Sequence, residues 1–145
     1  MTNLAGCPFC EIAASRETDA REVYRDDQVV AFFPTDPATL GHTLVIPRDH
    51  VPDIWTLSRP LGEKIAGAVL ELARAIREAV EPDGMNVIQS NGEAATQTVP
   101  HLHVHIVPRW DGDSIGRIWP PATNYSERQK DGALQLVRQA LQRDH

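Results

Sequence analysis

The sequence predicts an α+β fold, a mostly antiparallel sheet packed against one long helix with a further helix at the C-terminus. Three observations predict it. Leu61, Ile65, Val69, Leu72, Ile76 and Val80 recur at steps of three and four, which draws one apolar stripe along a helix. Short β-branched and aromatic runs lie on both sides of that stripe, and the early ones are joined by links too short for crossovers. A last polar stretch, 126–142, returns to helical spacing.

The elements follow in order. Residues 7–15 hold a short helical turn with Pro8 near its start. Strands at 22–24 and 28–33 flank the charged turn Arg25-Asp26-Asp27. Two prolines and a glycine make 34–41 a loop. Strand 43–46 is ended by Pro47. Ser58 caps the long helix, Pro60 sits in its first turn, and Glu81-Pro82-Asp83-Gly84 stops it. Strand 85–89, the polar loop 90–100 and strand 101–107, closed by Pro108, come next. The segment 110–124 is irregular, and Trp110 and Trp119 within it read as packing residues or as stacking aromatics. In the last helix Leu134, Val137 and Leu141 are expected to face inward, and Gly132 weakens its start.

Size and charge bound the function. A chain of 145 residues suits one domain. A formal net charge of −6 argues against a nucleic-acid polymer or an anionic membrane as partner, since both need a basic face. No run reaches the roughly 18 apolar residues of a membrane span. The N-terminal residues lack the basic-then-apolar order of a secretory signal, so a cytoplasmic location is expected. Cys7 and Cys10 form a CxxC pair, which in a reducing compartment reads as half a metal site or as a redox pair.

The most informative segment is His101-Leu102-His103-Val104-His105-Ile106-Val107. Side chains alternate along a strand, so the three histidines share one face and Leu102, Val104 and Ile106 the other. The apolar face can pack on the long helix, which leaves the histidines lining a polar cleft. Neutral imidazole is a good nucleophile near neutral pH and a good leaving group afterwards. A neighbouring histidine can hold a phosphate or hand over a proton.

The block Gln97-Thr98-Val99-Pro100-His101-Leu102-His103-Val104-His105-Ile106-Val107-Pro108-Arg109 resembles the signature of the histidine-triad (HIT) superfamily. Gly41-His42-Thr43-Leu44-Val45-Ile46-Pro47 resembles its second block, and Cys7-Pro8-Phe9-Cys10 the usual opening of bacterial members. The resemblance implies a HIT-like fold over the whole chain, 1–145, with a core of about 7–109 and a C-terminal extension, 110–145. It implies a nucleotide-binding hydrolase or nucleotidyl transferase acting at a nucleoside α-phosphate, with His103 as nucleophile and a covalent nucleotidyl-histidine intermediate. His105 would contact the phosphate and His42 support the triad by hydrogen bonding. The implied substrate is a purine nucleoside phosphoramidate or dinucleoside polyphosphate, and the implied assembly a homodimer. A dinucleoside polyphosphate phosphorylase and a non-catalytic nucleotide-binding module are the alternatives.

Before the triad, Ser90-Asn91-Gly92 and Ala95-Thr96-Gln97-Thr98 offer backbone N–H groups and small hydroxyls that can cradle a phosphate, although the same composition suits a plain surface loop. By resemblance, Gln97 and Thr98 sit where the family binds phosphate. Thr96 stands where a glycine is usual, and Ser90 where an amide side chain is usual. The family's ribose-binding carboxylate or amide falls on Pro34, leaving Asp36 either to take over the ribose hydroxyls or only to shape the turn before Pro37.

Two thiols at CxxC spacing need two more ligands to close a tetrahedral zinc site. His50 and His101 are the candidates, with His42 and His145 the remaining ones outside the catalytic pair. Some triad proteins close such a site with histidines at the positions of His50 and His101, which implies a structural zinc held by Cys7, Cys10, His50 and His101.

Overall fold

The computed structural model describes residues 2–15 and 19–144. Contacts group the chain into two compact units, Met1–Ser114 and Ile115–His145. The first unit contains α1 (Pro8–Ala14), β1 (Arg21–Arg25), β2 (Val29–Phe33), β3 (Thr43–Pro47), α2 (Arg59–Val80), β4 (Gly84–Gln89) and β5 (Val104–Arg109). Two single 3-10 turns, Ile54–Thr56 and Glu93–Ala95, lie in its loops.

The five strands form one sheet in the order β1-β2-β3-β5-β4, and every neighbouring pair is antiparallel. The alternation within the strands builds two apolar layers. Val29, Ala31, Val45, Leu102, Val104 and Ile106 meet Ile65, Ala68, Leu72 and Ile76 of α2 on one face. On the other face Val30, Phe32, Leu44 and Ile46 meet Cys7, Phe9, Cys10 and Ala13. Strands β2 and β3 are covered on both faces, which is why they read as unbroken apolar runs. Among the described residues no helix is long and apolar enough to cross a membrane.

The ends of the helices follow local chemistry. The Ser58 side chain accepts from the Leu61 N–H at 3.4 Å and starts α2. Glu81 ends it in the left-handed region at φ 48°, with its N–H donated to the Arg77 carbonyl. Arg25 reaches back from β1 and donates to the carbonyls of Ala13 and Ile12, each at 2.9 Å, so a guanidinium closes the C-terminal end of α1.

Two expectations about the triad strand need correction. The triad strand begins at Val104, not His101, and it runs through Pro108 to Arg109. The Leu102 N–H is donated to the Val51 carbonyl at 2.6 Å, outside the sheet, so the first triad residues cannot join the ladder. Pro108 is tolerated because β3 pairs only as far as Ile106; beyond it β5 has a neighbour on one side, where Pro108 lies opposite Met85. The extended path through 101–103 still keeps the alternation, since Leu102 joins the α2 layer.

The second unit, described by itself, is an irregular stretch followed by α3 (Glu127–Asp144). Leu134, Val137 and Leu141 are exposed, contrary to the inward packing expected, because one helix offers no second layer of its own to cover them. Trp119 is 81% exposed, so core packing does not describe it, whereas Trp110 in the first unit is half-buried.

Candidate functional site

All three triad histidines and His42 gather on the sheet face opposite α2. The register places His105 opposite Leu44 of β3, a residue of that second layer. His42 stands directly before β3, after Gly41 at φ +92°. A side chain at position 41 would be strained and would press on Pro108 Cγ at 3.3 Å, so glycine is the residue that lets the loop deliver His42 here.

Hydrogen bonds fix which nitrogen of each ring carries its proton. The Ala38 N–H can only donate, and it reaches His42 Nδ1 at 3.0 Å. His42 therefore holds its proton on Nε2, which donates to His105 Nδ1 at 2.9 Å. His105 in turn carries its proton on Nε2. The His101 carbonyl can only accept, and it takes the Nδ1 proton of His103 at 2.7 Å. That leaves a lone pair on His103 Nε2. The rings of His103 and His105 are 5.0 Å apart at 66°, and those of His42 and His105 5.2 Å apart at 32°.

Burial sets the charge state. It pushes His42 below the ordinary imidazole value. His105 is pushed down to about 4 by burial, with the neighbouring His103 and His42 adding to it. Near neutral pH both rings are uncharged, and each serves as a fixed donor and acceptor.

A second cluster lies on the other side of His103. Cys7, Cys10, His50 and His101 bring one ligand atom each to within 4.8 Å of one another, and three of the four residues are buried. Cys7 Sγ to His101 Nδ1 is 3.5 Å, Cys10 Sγ to His50 Nδ1 3.3 Å, and Cys10 Sγ to His101 Nδ1 3.5 Å. Tetrahedral zinc, with Zn–S near 2.3 Å and Zn–N near 2.0 Å, needs sulfur and nitrogen about 3.5 Å apart. The His101 ring donates its Nε2 proton to the Pro47 carbonyl at 2.9 Å, so its Nδ1 lone pair faces the thiols, as a ligand must. The cysteine sulfurs also accept N–H groups, Cys7 from Cys10 and Cys10 from Leu4. These four residues fit a metal ion. His42 belongs to the other cluster, and His145 lies outside the described residues.

The loop residues divide. The Asn91 amide accepts the Ile54 N–H at 2.7 Å and pairs both ways with Gln89. The Gln97 amide accepts the Gly92 N–H and donates to the carbonyls of Pro52 and Val99, so it braces the loop from within. Thr96 adopts φ 66° and its hydroxyl donates to the Ala95 carbonyl at 2.6 Å. Thr98 is exposed, Ser90 is half-buried, and Asp36 is exposed on the loop that leads to Gly41 and His42. Sequence reasoning missed Gln89, Phe9 and the Ala38 N–H. Only Phe9, set between the two cysteines, carried a signal. Concavities of about 580 and 360 Å³ lie at the far end of α2, around Arg74, Arg77 and Pro82, and the histidines line neither. The ring geometry, not cavity volume, marks the site.

Residues 15–112 match the HIT domain. A relative from Bacillus subtilis (strain 168), Protein hit, is 42% identical over 114 residues, 78% of each chain. Adenylylsulfatase HINT3 from Arabidopsis thaliana is 31% identical over 136 residues, covering 94% of this chain and 64% of the relative. A solved Zn-bound histidine triad family protein from Mycobacterium smegmatis superposes with a TM-score of 0.71 at 34% identity, over 93% of this chain and 97% of the other.

Proposed function

The chain belongs to the HIT family, and from that premise we propose that it is a nucleotide-binding hydrolase or nucleotidyl transferase acting at a nucleoside α-phosphate, with His103 as the nucleophile. The observation that carries the reading is the Nδ1 bond of His103 to the His101 carbonyl at 2.7 Å, which leaves Nε2 with a lone pair aimed away from its own backbone.

In this reading His103 Nε2 attacks phosphorus while the bond from phosphorus to the leaving group breaks. The leaving group departs with the bonding pair, as a stable anion from a polyphosphate or as an amine protonated by solvent from a phosphoramidate. His105 is neutral near pH 7, so its Nε2–H acts as a donor to a phosphate oxygen, not as a strong acid. Water then forms a P–O bond as the P–N bond to His103 breaks, and the water proton passes to solvent. The 90–98 loop forms the phosphate-binding side. Asn91, Thr96 and Gln97 hold its shape through their own hydrogen bonds. Ser90, Thr98 and the backbone N–H groups the loop does not itself use meet the phosphate, and Asp36 reads the ribose. The metal supplies a structural cross-link that ties the N-terminal segment to the triad. Cys7, Cys10, His50 and His101 would hold it.

We assign the active form as a homodimer. Strand β4 ends the sheet without a further neighbour among the described residues, and Val87 on it is 54% exposed. A monomer by light scattering at every concentration would refute this.

The function is tested by steady-state release of AMP or GMP from adenosine and guanosine phosphoramidates and from dinucleoside polyphosphates, with and without added phosphate. Release without phosphate is the expected result. Release only with phosphate, yielding a nucleoside diphosphate, would make the chain a phosphorylase. Nucleotide binding without release would make it a binding module.

A further inference from the structure

Phe9 lies between the two cysteines, and its ring contacts the imidazole of the residue assigned here as nucleophile. The Phe9 and His103 ring centroids are 5.1 Å apart at 82°, an edge-to-face arrangement. The same ring meets His101 at 5.9 Å and 80°, and Phe32 at 5.6 Å and 69°. Phe9 is 9% exposed and His103 6%.

One hydrogen bond does not orient an imidazole. The Nδ1–H bond to the His101 carbonyl fixes a point on the ring, but the ring can still swing about that bond and carry Nε2 off line. A contact away from the bond's axis is needed to fix the plane. His105 provides one at 5.0 Å, and Phe9 provides the other. The position of Phe9 is itself over-determined. Cys7 and Cys10 on either side of it belong to the Cys2His2 cluster, and Arg25 holds the far end of the same helix. His101, a member of that cluster, also presents the carbonyl that holds His103.

We propose that Phe9 is a positioning residue for His103, held against the imidazole by the Cys2His2 cluster that brackets it. The inference rests on the reading of His103 as nucleophile. Phe9 touches no reacting atom in this account. It fixes the plane of the ring that does, so its loss shows in the chemical step more than in substrate binding.

The test uses the full chain, purified with zinc. Phe9→Leu keeps an apolar side chain but removes the planar ring, and Phe9→Tyr keeps it. Phe9→Leu is expected to lower kcat about tenfold, within the range that misplacement of a reacting group produces. KM should move by less than about twofold, the behaviour of an interaction expressed in the transition state. Metal content should stay that of the parent, and Phe9→Tyr should restore more than about half of kcat, because the aromatic ring is retained. A second readout does not use activity. The Nδ1 proton of His103, observed by 15N-edited NMR, should be sharp and slow to exchange in the parent and broadened in Phe9→Leu. The cluster's part is tested by combining Phe9→Leu with Cys7→Ser. The two losses in kcat should fall short of additive if the cluster acts through Phe9. A kcat within twofold of the parent in metal-replete Phe9→Leu, an unchanged Nδ1 proton, or strictly additive losses would overturn the proposal. If His103→Ala instead keeps turnover, the nucleophile assignment has failed. With His103→Ala inactive and Phe9→Leu unimpaired, only the present inference fails.

Discussion

The molecule holds two histidine clusters that meet on the short segment 101–105 and differ in which ring nitrogen is left over. At His101 the Nε2 proton is given to the Pro47 carbonyl, so Nδ1 turns to the thiols of Cys7 and Cys10. At His103 the Nδ1 proton is given to the His101 carbonyl, so Nε2 is the nitrogen left over. Two residues apart and alike in chemistry, one ring suits a metal and the other a phosphorus atom. The difference lies in the backbone carbonyl each ring meets, which teaches that role here is set by the tautomer more than by the residue type.

The sharpest way to break the comparison is to remove the His103 ring. His103→Ala is expected to lower kcat by at least about 10³-fold, because no other group supplies the nucleophile. Nucleotide affinity should change little, and single-turnover kinetics with binding by calorimetry separate the two. Near-parental turnover would sink the mechanism.

Acid acts on one cluster by a predictable route. An unfolded histidine titrates near 6.5, whereas His105 in the fold is held down to about 4, chiefly by burial. Between those values the unfolded chain binds the extra proton, so stability rises with pH across the window. The contribution is complete above about pH 6.5 and is lost as pH falls toward 4, with an upper bound of roughly 3 kcal/mol. Denaturant midpoints from pH 4.5 to 7.5 should therefore slope less steeply in His105→Asn than in the parent. Taking the difference between the two proteins cancels the proton release of the metal cluster. Identical slopes would contradict the assignment.

The metal cluster should fail differently. The purified chain is expected to carry about one zinc, and Cys10→Ser less than about 0.2, since a closed site needs all four ligands. Its unfolding midpoint should drop by roughly 5–10 °C, the shift that a loss on the order of 2–3 kcal/mol produces in a chain of this size. Metal analysis and a thermal scan check both, and an unchanged zinc content would remove Cys10 from the ligand set.

The smallest effect concerns the sugar. Asp36→Ala is expected to lower kcat/KM about tenfold for ribonucleotide substrates, near the low end of the roughly 1.5–3 kcal/mol for a charge-assisted bond. The 2′,3′-dideoxy analogues, which lack the partner hydroxyls, should be spared. Equal losses for both would leave Asp36 as a turn residue.

Much of the fold was legible because its signals are periodic. The stripe from Leu61 to Val80 and the runs at β2 and β3 each state their partners by spacing. The start of β5 was not legible, because whether His101 joins the ladder depends on the distant Val51 carbonyl that takes the Leu102 N–H. The histidines and cysteines announced themselves by type and order. Their tautomers did not, since the deciding groups at Ala38, Pro47 and His101 are backbone atoms common to any sequence. The inward packing expected of α3 failed because helical spacing reports an apolar face without saying what covers it.

The contact from the Ala38 amide to His42 has a further consequence. Two imidazoles joined by one hydrogen bond can arrange their protons in two mirror ways, all pointing one direction or all pointing the other, with nothing in the pair to choose between them. A peptide amide cannot switch from giving a proton to receiving one, so anchoring one end of the row to Ala38 removes the second arrangement. The row has a permanent direction, running from the main chain outward through His42 and His105. The direction is written in a backbone atom that substitution by any residue except proline leaves in place. Ala38→Pro is the single replacement that deletes this orientation at its source while leaving both rings intact.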